Sequence, residues 1–185
     1  MTKDYSSSAS WNSAALAGLV MAAVTVAIDL VRGLSGRVPG VGGGVLSFFA
    51  WALKLVLCAW TFRYLMKRFF DGFDGVDCFS LKRYGLKLAL FSSIIVAAYS
   101  LVSLLVINPD SITEIMDTYR ETYASMMDSN SEAALEKMLP KLPVYIGLVT
   151  VIYCFLWGWL YSSIFSKGIA PYDPFADIKD FPDNQ

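Results

Sequence analysis

The chain has 185 residues, 56% hydrophobic and only 17% charged, against about 25% charged in an ordinary soluble domain. The missing charge is confined to four apolar blocks, which excludes a conventional water-soluble core and points to a polytopic membrane protein. The net charge of -1 says nothing about nucleic acid, but no basic patch is interleaved with aromatics in a soluble module, so nucleic-acid binding is not expected; the absence of histidine removes the commonest metal ligand and general base.

Residues Met1 to Asn12 are polar and Ser-rich and read as a short mobile segment. Ala14 to Ile28 carry no charge, and helix extends to Leu34. No basic n-region precedes this run and no A-x-A site follows it, so a retained span is expected rather than a cleaved signal. Ser35 to Gly44 is dense in Gly and Pro, which interrupts helix. Val45 to Met66 is the second span. The basic stretch from Arg63 to Lys87 overlaps its end, with Arg63, Lys67, Arg68, Lys82, Arg83 and Lys87. Asp71, Asp74 and Asp77 recur there among glycines, but the calcium-loop spacing and terminal Glu are missing, so the stretch reads as a solvated turn. Leu86 to Ile107 is the third span, ended by Asn108-Pro109-Asp110. The fourth runs from Pro143, well placed at a helix start, to Phe165.

The fold class expected is all-α: four transmembrane helices plus a short extracytoplasmic amphipathic helical segment. The spans lie near 11–34, 45–67, 85–107 and 143–166 of one domain. Residues 110–141 form the outward segment, and the Pro-rich tail 168–185 is expected to be disordered. With four spans, both termini share a side with the basic stretch. That side holds Lys3, the six residues just named, Lys167 and Lys179; the other holds Arg32, Arg37, Arg120, Lys137 and Lys141. The positive-inside rule then makes both termini cytoplasmic. Trp11, Trp60, Tyr64, Tyr84 and Tyr145 fall near span ends, where interfacial aromatics belong.

In the outward segment Ser111-x-x-Glu114 matches a capping box. Ile112, Ile115, Met116, Tyr119, Tyr123 and Met126 recur on one helical face, opposite Asp110, Glu114, Asp117 and Glu121. This acidic polar face is unsuited to anionic lipid. Packing on the outer mouth of the bundle is the expectation, and a partner-binding surface is the alternative. A second short helix is expected from Ser129 to before Pro140.

Small residues at four-residue spacing let membrane helices approach closely. On this basis Gly18 and Ala22, Ser93 and Ala97, and Gly158 and Ser162 are read as packing positions. Two charges interrupt the spans. Asp29 lies on the Gly18 face, and Lys54 shares a face with Ser47, Ala50, Cys58 and Thr61. Each costs about 2.5–3.5 kcal/mol at a span centre. Counted from the outer connection, their depths differ by roughly 6 Å, within reach of a lysine side chain. They are therefore read as an intramembrane ion pair, either fixing helix register or serving a substrate or ion site. Cys58, Cys78 and Cys154 form no CxxC pattern, so no disulfide framework is expected.

The glycine connection, the aromatic second span ending in Tyr64-Leu65-Met66-Lys67-Arg68, the Tyr84-Gly85 entry to the third span, Ala97-Ala98-Tyr99-Ser100, Ile107-Asn108-Pro109-Asp110 and the Pro-rich tail carry a resemblance over nearly the whole chain. Together they resemble the domain-of-unknown-function family 4199, small four-span membrane proteins of Bacteroidota. The resemblance implies a bacterial inner-membrane location and supplies no functional residues. The function expected is structural, accessory or partner-binding; the alternative is a small transporter or channel subunit using Asp29 and Lys54. Expected partners are the lipid bilayer and either further copies or another membrane protein. No catalytic, cofactor or metal site is expected, and no enzymatic activity.

Overall fold

Long runs of Ala, Leu, Val and Ile, uninterrupted by proline, propagate four long helices. The computed structural model describes residues 3–4, 7–35, 41–107, 110–123 and 137–170. Helix α1 spans Ser7–Ser35 and α2 spans Val41–Gly72. Helix α3 spans Cys78–Val102 and passes into a π-helical turn at Ser103–Ile107. Pro109 follows in sequence, and its ring and missing N–H oppose α-helical continuation. Helix α4 spans Asp110–Tyr123, and α5 spans Leu142–Ile169 after a 3-10 turn at Leu139–Lys141. The fold is all-α. Ser8–Val31, Phe48–Gly72, Cys78–Ile107 and Leu139–Ile169 are each long and apolar enough to cross a membrane.

Helix α3 is the central helix, packed between α1 and α5; α1 also packs on α2, which leans more loosely on α5. Successive long helices run antiparallel. The start of α1, the α2–α3 turn and the end of α5 therefore share one end of the bundle, and α4 follows α3 at the other.

Several helix ends differ from the sequence expectation. The N-terminal segment is not simply mobile. Lys3–Asp4 (β1) pair in parallel with Phe73–Asp74 (β2), and α1 starts at Ser7 because Ser10 and Ala14 are fully buried against the bundle. The glycines at 42–44 lie inside α2, which begins at Val41. Most of the basic stretch is not a loop. Arg63, Lys67 and Arg68 lie on α2, Lys82, Arg83 and Lys87 on α3, and only 73–77 connect them. Helix continues past Lys67 because Phe69 finds a partner: its ring stacks on Tyr84 with centroids 3.7 Å apart. Tyr84 is thus a core residue, 2% exposed, and not an interfacial aromatic. Helix α5 runs through Gly168 to Ile169, so the expected tail begins later; 171–185, like most of the expected helix from Ser129, lies outside the described residues.

The tight turn rests on two residues. Gly75 adopts φ 77°, a conformation that costs glycine nothing. Asp77 caps α3, its Oδ1 accepting from the Ser80 N–H at 3.0 Å. Partial burial pushes the Asp77 carboxyl up, but hydrogen bonds from Ser80 and the Phe79 backbone outweigh it and hold the group below its usual value.

Candidate functional site

Thr25 and Asp29 are one turn apart on α1, and Lys54 and Cys58 one turn apart on α2. The antiparallel crossing sets them rung against rung. Thr25 Oγ1 lies 3.8 Å from Cys58 Sγ, and Lys54 Nζ donates to Asp29 Oδ1 at 2.6 Å. Thr25 also donates to the Met21 carbonyl, so its hydroxyl remains satisfied within its own helix. The pair is neutral as a unit, which removes most of the cost of two separate charges in a span. Their side chains keep 25% and 30% of their accessible surface, so the pair lies beside the tight core and not inside it.

Next to the pair the four long helices border a partly open cavity of about 170 Å³. Met21 and Thr25 of α1, Lys54 and Cys58 of α2, Ser92 of α3, and Cys154, Trp157 and Tyr161 of α5 line it. Lysine offers three donors, and Asp29 takes one. A ligand oxygen in the cavity could take another. Among the described residues no group of three or more His, Cys, Asp or Glu is placed to hold a metal ion.

Small residues set the walls. A Cβ on Gly18 would fall 2.6 Å from Phe91 Cβ, so α1 and α3 touch backbone to side chain there. Gly158 abuts Ala89, and Ser162 abuts Gly85 while donating to the Lys82 carbonyl at 2.8 Å. Ala22 and Ser93 are fully buried and Ala97 is 5% exposed. Gly85 was missed as a packing residue, although it continues the four-residue series of Ala89, Ser93 and Ala97.

At the basic end Lys87 is turned inward. It donates to Ser10 Oγ at 3.1 Å and lies 4.8 Å from the Trp11 ring centre. At the opposite end, α4 begins at Asp110, one residue before the expected cap; a carboxylate in the first turn suits the helix dipole. Its apolar face is only partly covered. Met116 is buried, but Tyr119 and Tyr123 are 46% and 43% exposed, their rings 4.6 Å apart. Packing across the whole face, expected from its periodicity, is therefore not what the fold shows. Periodicity reports that a face exists, not what covers it. No family model, curated protein or solved structure matches the chain, so the resemblance to family 4199 rests on the quoted sequence motifs.

Proposed function

We propose that the chain is a non-enzymatic accessory protein of a bacterial inner membrane, resembling family 4199, that binds another membrane protein through α4. The exposed Tyr119–Tyr123 pair carries this reading. Aromatic residues are enriched at protein interfaces, and an uncovered pair on an extramembrane helix is a ready contact. The closed Asp29–Lys54 pair supports the same view, because neither charge waits for a coupling ion. Replacing Tyr119 with a benzophenone amino acid and irradiating native membranes tests it. A discrete adduct is expected, absent when the probe replaces Leu148 on the lipid-facing side of α5. Lipid adducts alone at Tyr119 would refute it.

Both termini are proposed to be cytoplasmic, supported by the basic residues gathered at the end that carries the N-terminus. Asn130→Cys should label from outside in spheroplasts while Cys78 stays protected; the reverse pattern would invert the topology.

The cavity favours a second reading, a small transporter or channel subunit. Its volume is that of a site for one benzene-sized ring. Benzoate should then quench the Trp51 and Trp157 fluorescence of reconstituted protein, and Lys54→Met should abolish the quenching.

A further inference from the structure

Lys67 and Arg68 follow Tyr64 by three and four residues, and Asp71 follows them at the same spacings. These side chains therefore share one face of α2. With Gly72 they line an open groove of about 590 Å³. Two other cations at this end are engaged: Arg83 lies 4.3 Å over the Phe79 ring, and Lys87 is held by Ser10 and Trp11. Lys67 and Arg68 are exposed and form no ion pair among the described residues.

The same face continues toward the middle of the bundle. Tyr64 stacks on Trp60 with centroids 6.1 Å apart, and Trp60 and Val56 are 67% and 65% exposed. From Val56 to Arg68 the helix rises roughly 18 Å. One leaflet contributes roughly 15 Å of hydrocarbon. The face thus runs from aliphatic to aromatic to dibasic over the depth of a single lipid.

We propose that this groove binds one anionic phospholipid of the phosphatidylglycerol type. Its phosphodiester sits between Lys67 and Arg68, and its acyl chains lie along Trp60 and Val56. Two cations and the Asp71 carboxylate leave one net positive charge, which a phosphodiester monoanion neutralises. Asp71 accepts a hydrogen bond from a headgroup hydroxyl. The site rests on α2 spanning the bilayer and is independent of any partner at α4.

The test is the thermal stability of the full chain in detergent, titrated with phosphatidylglycerol, phosphatidylethanolamine, phosphatidylcholine or inorganic phosphate. Phosphatidylglycerol should raise the midpoint most, and inorganic phosphate should leave it unchanged. At roughly fivefold per cation, the double variant Lys67→Gln/Arg68→Gln should weaken the apparent affinity about 25-fold. The charge-preserving Lys67→Arg/Arg68→Lys should retain binding. Lys82→Gln/Lys167→Gln removes the same charge from the same end and should change it about twofold or less, because screened charges outside the groove contribute little. Equal losses in the two charge-removing doubles would overturn the site in favour of diffuse electrostatics. A response to phosphatidylethanolamine or inorganic phosphate equal to that for phosphatidylglycerol would overturn the ligand.

Discussion

The end of the bundle that carries the α2–α3 turn and the end that leads to α4 are built from the same helices, yet they pack differently. At the turn, Phe69, Val76, Leu81, Tyr84 and Leu88 are all buried. Gly85 and Gly158 bring α3 and α5 together there at near backbone contact. At the other end, Phe48, Phe49, Val106, Val144 and Leu148 are exposed, and the π-helical turn of α3 buries nothing. On that side the Asp29–Lys54 pair joins α1 to α2, one turn from the contact between Thr25 and Cys58. This chain thus sets helix register in two ways. Close packing does it between α3 and α5, at Gly85 and Gly158 and again where Gly147 meets Leu101, and a directional charge pair adds to it between α1 and α2. An open end also leaves room for a cavity and an uncovered α4.

The contrast predicts unequal costs. The largest belongs to the closed end, where Phe69→Ala should cost about 3–5 kcal/mol, because it removes a 3% exposed ring stacked on Tyr84. The thermal unfolding midpoint of the purified variant reads this. Gly85→Ala comes next. The new methyl meets Ser162, whose hydroxyl is fixed on the Lys82 carbonyl, so a loss of about 1–3 kcal/mol is expected. A midpoint unchanged by Gly85→Ala would mean that α3 and α5 are not in close contact.

Smaller effects belong to α4 and to the cap of α3. Sequence periodicity alone predicts that Tyr119→Asp destabilises more than Glu121→Ala. With Tyr119 46% exposed, the two variants should instead agree to within about 0.5 kcal/mol, while Met116→Asp should be clearly worse. Asp77 supplies the smallest term. Its carboxyl is held below the usual 3.8, so the cap is stronger when ionised. The cap's contribution, about 1 kcal/mol, is therefore complete at neutral pH and lost only as pH falls below the ordinary value toward the depressed one. Asp77→Asn should flatten that acid limb and change little at pH 7.

The four-span, all-α class was legible in the sequence because charge is excluded from four blocks long enough for a bilayer. Helix ends were not. Gly42 to Gly44 break helix by propensity, but α2 nonetheless begins at Val41. Lys67 and Arg68 mark the edge of the apolar run, yet Phe69 carries the helix on because its partner, Tyr84, is distant in sequence. Propensity is local, and these boundaries are decided by tertiary contacts. Depth counted along α1 and α2 brings Asp29 and Lys54 within reach, and in the fold their charged atoms lie 2.6 Å apart. The cavity beside them needs four helices at once, and no single helix's pattern reveals it.

The claim that the ion pair helps to fix the register of α1 against α2 is tested most directly by a double-mutant cycle on Asp29 and Lys54. Asp29→Asn and Lys54→Met should each lower the stability of the purified protein, by about 2–3 kcal/mol for a lone intramembrane charge. The double variant should recover part of that loss, because no unpaired charge remains, giving a coupling of about 1 kcal/mol or more. Losses that simply add would show that the two residues act independently, and the account of the open end would be wrong.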